Sequence, residues 1–76
     1  MSQREKVLAD LQYAAEVGGF HGRLVGVVCG SEWLRDYMPR YAARVGELRD
    51  LGFVIETVTK RCPLHKTAVY RLTLGQ

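Results

Sequence analysis

Hydrophobic positions at the start of the chain recur with a helical period. They are spaced three or four residues apart and so share one face of an α-helix: Val7, Leu8, Leu11, Ala14 and Ala15. Ser2-x-x-Glu5 is a capping box, in which the serine hydroxyl and the glutamate carboxylate each accept a backbone N–H. Gly18-Gly19 is typical of a helix end, because glycine adopts the left-handed conformation without strain. The pattern predicts a helix from about Ser2 to Val17.

The next segment combines β-branched residues with glycines and then returns to a helical pattern. Glycine weakens helix interiors, so residues 20–30 favour one short strand at about Leu24–Val28. Ser31 is a typical N-cap for a second helix of about two turns. The apolar face of that helix is predicted from four residues: Trp33, Leu34, Tyr37 and Met38. Pro39 either ends this helix or begins the next one.

A third helix and two strands complete the pattern. In the helix predicted at Arg40–Leu51, Tyr41, Val45 and Leu48 form the apolar stripe. Gly52 ends the helix. The segments Phe53–Thr59 and Ala68–Leu74 are rich in β-branched and aromatic residues, and the charged, proline-containing segment Lys60–Lys66 between them is typical of a hairpin loop.

These elements predict one α+β domain over residues 1–76 with a winged helix-turn-helix architecture. The chain of 76 residues is too short for two cores. A two-stranded hairpin is not stable alone, so it must cover a helical core, with the short strand near Val27 pairing with its inner edge. No apolar run reaches the roughly 18 residues that span a bilayer, and the N-terminus lacks an apolar signal core. We therefore expect a cytosolic or nucleoid-associated protein with no membrane partner.

Positive charge is concentrated in the second half of the chain. Residues 1–38 carry four basic and five acidic side chains, whereas residues 39–76 carry seven basic and three acidic ones, within a total charge of +3. This asymmetry is compatible with a surface that meets a polyanion, and equally with a solvated basic face.

The run PRYAARVGELRDLGFVIE at Pro39–Glu56, followed by Tyr70-Arg-Leu72, resembles a family of small phage and bacterial winged helix-turn-helix proteins. Members carry Pro-Arg-Tyr-x-x-Arg-(Ile/Val)-x-Glu-Leu-Arg-x-x-Gly through their third helix, and Cys29–Leu34 is similar to the start of their second helix. The resemblance covers about residues 24–74. It implies a winged-helix fold and, less specifically, a DNA-binding regulatory function, since winged helices also bind proteins.

In a DNA-binding winged helix, the N-terminal half of the third helix reaches the base edges of the major groove. That half offers five candidates: Arg40, Tyr41, Ala43, Arg44 and Glu47. Arg40 is the first choice for a base or phosphate contact, because its guanidinium donates two parallel hydrogen bonds. Arg44 either contacts DNA or pairs with Glu47 or Glu56. Tyr41 belongs to the core stripe, with its hydroxyl in reach of a phosphate, and Glu47 is either a cytosine acceptor or solvated surface.

The hairpin loop adds Lys60, Arg61 and Lys66 within seven residues. On the tip of a wing they would contact the phosphate backbone or the minor groove. The alternative is a charged loop that keeps a sheet edge soluble. Together with the third helix, these residues favour DNA as the partner.

Cys62-x-x-His65 has the spacing of a metal-binding pair. Cys29 is expected near it, at the end of the short strand that pairs with the last strand. His21 is expected at the opposite end of that short strand, which leaves a tetrahedral site without its fourth ligand. We therefore predict no metal and no other cofactor, and a Cys29–Cys62 disulfide is not expected in a reducing cytosol.

The leading hypothesis is a compact transcriptional or phage regulatory factor that binds double-stranded DNA. Because one small domain makes few contacts, useful affinity would require a homodimer or tandem binding. The alternative is a winged-helix adaptor for a protein partner, with Glu47 and Asp50 at the interface. No enzyme is predicted, since no nucleophile or acid pair has an activating partner in the sequence.

Overall fold

In the computed structural model, which describes residues 2–18 and 20–73, three helices pack on a small antiparallel sheet. The elements in chain order are α1 (Gln3–Val17), β1 (Phe20–His21), β2 (Leu24–Val25), β3 (Val28–Cys29), α2 (Gly30–Arg35), α3 (Tyr41–Asp50), β4 (Ile55–Thr59) and β5 (Val69–Leu72). The predicted α+β class is confirmed. Within the described residues, no helix is long and apolar enough to cross a membrane.

The predicted first helix and its capping box are confirmed. The Glu5 N–H donates to Ser2 Oγ at 3.2 Å, and the Ser2 N–H donates to Glu5 Oε1 at 3.0 Å. Gly18 caps the other end with a left-handed φ of +67°, while Gly19 lies outside the described residues. Val7, Leu11 and Ala14 are buried in the core, as the helical period requires.

The strand predicted at Leu24–Val28 is wrong as a continuous element. Gly26 adopts a φ of +72°, which breaks the extended backbone and leaves two short strands, β2 and β3. β2 turns back on β1 in a separate antiparallel ribbon, in which His21 pairs with Leu24 across the two-residue turn Gly22–Arg23. Gly22 has a φ of +61° at the first position of this turn, which favours glycine.

The three-stranded sheet has the order β3-β5-β4, and both pairs are antiparallel. The expected pairing of the short strand with the last strand is confirmed, because Cys29 lies opposite Val69. β4 and β5 form the predicted hairpin, and residues 60–68 connect them. Leu74, the predicted end of the last strand, lies outside the described residues.

Helix α2 is shorter than predicted and begins earlier. Cys29, not Ser31, is its N-cap, and the helix ends at Arg35. Trp33 and Met38 are buried as expected, but the assignment of Leu34 and Tyr37 to the apolar face is wrong. Tyr37 adopts a left-handed φ of +59° just after the helix, and its side chain is 89% exposed.

The helices α2 and α3 are joined by the five residues 36–40, which include Pro39. Pro39 therefore neither ends α2 nor begins α3. The main core lies where α1, α2 and α3 meet the sheet and contains Trp33, Val45 and Leu48. A second, smaller cluster lies beneath the 60–68 loop: Val27, Cys29, Cys62 and Val69.

Candidate functional site

Tyr41, at the start of α3, belongs to the core rather than to the free helix surface. Its ring lies 5.6 Å from the Trp33 ring and 6.3 Å from the Tyr70 ring, measured between centroids. A Cβ atom added to Gly30 would lie 2.5 Å from Tyr41 Cζ, so the ring packs directly on the backbone of α2. This contact sets the position of α3 against α2.

Arg44 and Glu47 form an ion pair on the next turn of α3, with Arg44 Nη1 3.2 Å from Glu47 Oε2. Of the two partners considered for Arg44, Glu47 is therefore the one observed. Glu56 instead pairs with Arg71 across the hairpin at 3.3 Å. The Glu47 side chain is 39% exposed, so its carboxylate is accessible to solvent while it pairs with Arg44.

Arg40 and Ala43 are exposed. Arg40 is the N-cap of α3 rather than a residue of its first turn, so the predicted start of the helix is one residue too early. Arg40 thus lies at the N-terminal end of α3, an end of a helix that favours anions.

Lys60, Arg61 and Lys66 are exposed in the 60–68 loop, as predicted. Within the described residues, these three and Arg40 have no side-chain ion pair or hydrogen bond, whereas the other basic residues after position 39 do. Arg49, for example, donates from Nε and Nη2 to the Ile55 carbonyl oxygen at 3.0 and 2.7 Å. In the second half of the chain, the cations available to an external anion are thus at the start of α3 and in the loop. Arg4, Arg23 and Arg35 in the first half are also exposed without such a partner among the described residues.

A second set of side chains meets beneath the same loop. Four groups that commonly bind metals, His21, Cys29, Cys62 and His65, have ligand atoms that all lie within 4.8 Å of one another. The expectation that His21 lies far from the other three is wrong. Because the backbone breaks at Gly26 and reverses at Gly22–Arg23, β1 folds back and places His21 Nε2 2.8 Å from Cys62 Sγ.

Both sulfur atoms of this four-residue cluster are buried. The residues Cys29 and Cys62 are 0% and 1% exposed, and His65 Nδ1 lies 3.7 Å from each sulfur. Both cysteines are therefore packed into the small cluster beneath the loop. His21 is half-buried and His65 is exposed, so the cluster lies at the molecular surface with its sulfurs inward.

Hydroxyl groups surround the Cys29 sulfur. Ser31 Oγ donates to Cys29 Sγ at 3.2 Å, and Thr67 Oγ1 lies 3.1 Å from it. Burial raises the pKa of the Cys29 thiol, but the hydrogen bonds with Ser31 and Thr67 outweigh burial, and the resulting pKa lies below its ordinary value. The surroundings of Cys29 therefore make its thiol more acidic than that of a free cysteine.

The Cys62-x-x-His65 spacing was the sequence signal for this cluster. The signal for His21, the ligand expected elsewhere, was the pair of glycines at positions 22 and 26. A glycine at the first position of a two-residue turn is a hairpin signature, and such a hairpin brings His21 back beside β2. The prediction of one strand over residues 24–28 did not include this hairpin.

Comparison with protein families, with curated proteins and with solved structures finds no match to this chain. The resemblance of residues 24–74 to small phage and bacterial winged helix-turn-helix proteins therefore stays a prediction.

Proposed function

We propose that the chain is a winged helix-turn-helix domain that binds double-stranded DNA. The proposal assigns α2 and α3 to the helix-turn-helix, and β4, β5 and the 60–68 loop to the wing. The sheet order β3-β5-β4 supports this assignment, since it joins the wing to a strand that leads directly into α2. In such a domain the start of the third helix enters the major groove, and the wing follows the backbone.

The observation that carries the proposal is the distribution of free positive charge. Seven exposed basic side chains have no internal partner among the described residues: Arg4, Arg23 and Arg35 in the first half of the chain, and Arg40, Lys60, Arg61 and Lys66 in the second half. The last four lie in two places, the start of α3 and the 60–68 loop. Phosphate contacts supply most of the affinity of small DNA-binding domains. These two places are where a winged helix meets the backbone, so the free charges match the proposed partner.

The proposed interface divides into contacting and supporting residues. Arg40 and the exposed Ala43 are assigned to the groove, and the three loop cations to phosphates. Tyr41 supports the interface by fixing α3 on α2. Arg44 and Glu47 neutralise one another, so a DNA contact by either would cost their ion pair, and we assign them to the framework of α3.

One domain with this few cations binds DNA weakly by itself. We therefore propose that two copies bind adjacent half-sites or that the chain binds in tandem, which raises affinity without new contacts. The proposed role is that of a transcriptional or phage regulatory factor in the bacterial cytosol or nucleoid.

The test is binding to a random-sequence DNA duplex over a series of salt concentrations. The wild-type chain should bind with an affinity that falls steeply as salt rises. Removing two phosphate contacts in the Lys60→Ala/Arg61→Ala variant should lower the slope of log K against log salt by about 2. Arg40→Ala should also weaken binding.

The matched control is Arg4→Ala/Arg35→Ala, which removes the same charge from exposed positions on α1 and α2. Its salt slope should stay close to that of the wild type. Equal loss in both double variants would indicate nonspecific attraction to net charge and would contradict the proposed interface.

The alternative function is an adaptor that binds a protein through the acidic end of α3. Two residues were proposed for this protein interface. Asp50 is exposed, whereas the Glu47 carboxylate forms an ion pair with Arg44. Undetectable DNA affinity at low salt would favour this alternative.

A further inference from the structure

We infer that His21, Cys29, Cys62 and His65 bind one Zn²⁺ ion that fastens the 60–68 loop to the body of the domain. This inference does not rest on DNA binding, since it concerns ligand atoms that the fold brings together. Two thiolate sulfurs and two imidazole nitrogens are a donor set of structural zinc sites. The cluster contains no carboxylate, which argues against Mg²⁺ and Ca²⁺, because these ions prefer oxygen ligands.

The distances from His65 to the two sulfurs are close to those around a tetrahedral ion. With Zn–S near 2.3 Å and Zn–N near 2.0 Å, neighbouring sulfur and nitrogen ligands lie about 3.5 Å apart. His65 Nδ1 lies 3.7 Å from both Cys29 Sγ and Cys62 Sγ. The 2.8 Å separation of His21 Nε2 and Cys62 Sγ is shorter, and zinc would lengthen it by about 0.7 Å. His21 borders a two-residue turn, which permits a shift of this size.

The local backbone presents both loop ligands on the same side. The Lys66 N–H donates to the Cys62 carbonyl oxygen at 2.7 Å, and the Cys62 N–H donates to the Thr67 carbonyl oxygen at 2.7 Å. These two bonds close a tight loop around Pro63 and Leu64. Lys66 completes it with a left-handed φ of +59°. The backbone between Cys62 and His65 thus folds so that the two residues form a ligand pair.

The outer shell of the site is also formed. The Ser31 N–H donates to Thr67 Oγ1 at 3.1 Å, so the threonine hydroxyl has its own proton free for Cys29 Sγ. Ser31 Oγ donates to the same sulfur. Such outer hydrogen bonds orient the ligands of metal sites and are part of their affinity. Four protein ligands leave no open position, which is the arrangement of a structural rather than a catalytic zinc.

Zinc at this position would compensate for a small hydrophobic core. The loop rests on the minor cluster of Val27, Cys29, Cys62 and Val69, separate from the main core. Small domains with limited cores often depend on a structural metal. The four ligands join the end of β1, the N-cap of α2 and the loop, so one ion would hold three segments together.

The first test is the metal content of the whole chain, purified without a histidine tag and without chelators under reducing conditions. Elemental analysis should give one zinc per chain, and a chelator competition gives its affinity. His65→Asn should lower that affinity by more than the roughly 10–100-fold typical of outer-shell changes. Because His65 is exposed, this variant retains the core contacts that keep the chain folded.

The matched control is Arg23→Gln, which alters an exposed residue two positions from His21 that is not a ligand. It should retain full zinc content. Absence of zinc in the wild-type chain, or zinc that His65→Asn does not affect, would overturn the inference. An intact-mass measurement that finds a Cys29–Cys62 disulfide in the freshly purified chain would overturn it as well.

Cobalt gives a readout that does not depend on the stability of a damaged variant. Co²⁺ added to the zinc-free chain should produce the intense visible bands of a tetrahedral site and a charge-transfer band from two thiolates. His65→Cys keeps four ligands and should strengthen the charge-transfer band by about half, as expected for three thiolates instead of two. The weak spectrum of octahedral Co²⁺ with the wild-type chain would contradict the inference.

Discussion

The two glycines in the described helices differ in the space around them. An added Cβ would be crowded at Gly30 and would meet open space at Gly46. Gly30 begins α2 against the Tyr41 ring, which is itself packed against Trp33 and Tyr70. Gly46 lies in the middle of α3, where an added Cβ would meet no atom within 4 Å. The first glycine is therefore required by packing, and the second only costs conformational entropy.

We expect the same substitution to change stability in opposite directions at these positions. Gly30→Ala should lower the free energy of unfolding by about 1–3 kcal/mol, because the methyl group displaces a rigid ring. Gly46→Ala should raise it by roughly 0.5–1 kcal/mol, because alanine favours a helix interior. Urea unfolding of the two variants measures both changes. A neutral Gly30→Ala would mean that Tyr41 moves freely and does not set the angle between the helices.

Among the elements, α3 and β4 are linked by the side chain of Arg49 at the end of the helix. The Arg49 guanidinium donates to the Ile55 carbonyl oxygen from two nitrogens and to Thr57 Oγ1 at 2.9 Å. The same guanidinium lies 6.0 Å from the centre of the Tyr70 ring. Arg49 thus positions the first strand of the hairpin relative to the helix.

Replacing this arginine with lysine tests whether the planar fork or only the charge matters. Arg49→Lys should lower the free energy of unfolding by about 1 kcal/mol, since an ammonium group lacks the paired N–H donors. The control is Arg71→Lys, which alters an exposed ion pair with Glu56 and should change stability by less than about 0.5 kcal/mol. Thermal unfolding compares the two, and equal effects would argue against a specific role for Arg49.

The order of the main elements followed from local patterns, and the exceptions have local causes too. The capping box, the helical period of α1 and α3 and the long β-rich runs all act within a few residues, so the sequence predicts them well. Residues 20–30 were harder, because the same β-branched residues suit one strand or two. The left-handed conformation of Gly26 produces two strands. Because glycine adopts both extended and left-handed conformations, the sequence did not distinguish one strand from two.

At the scale of the whole molecule, the cluster at His21, Cys29, Cys62 and His65 could not be predicted from spacing alone. Its members come from three segments, and their approach depends on the β1–β2 ribbon and on the β3–β5 pairing together. Only the second of these was expected. The free cations, by contrast, were predicted by position, and the structure distinguishes them from Arg44, Arg49 and Arg71, which have internal partners.

If both proposals hold, the metal and the DNA interface are connected through the loop. Lys60, Arg61 and Lys66 lie in the segment that Cys62 and His65 would fasten, so loss of zinc should loosen the proposed wing. Chelation should therefore weaken DNA binding by the wild-type chain.

The Lys60→Ala/Arg61→Ala variant is the control, because two of its three proposed wing contacts are already removed. Chelation should weaken its DNA binding by a smaller factor than that of the wild type, as fluorescence anisotropy with a labelled duplex would report. An equal reduction in both proteins would indicate general unfolding. No reduction in either would mean that the ion does not position the loop.

The placement of the four ligands along the chain also bears on how the protein matures. His21 and Cys29 are synthesised before Cys62 and His65, which follow more than thirty residues after Cys29. A nascent chain would therefore expose half of the proposed metal site while most of α2, α3 and the hairpin are still being synthesised. Coordination by all four ligands would have to wait until His65 has left the ribosome, so zinc would enter the site after α1 and the β1–β2 ribbon have been made.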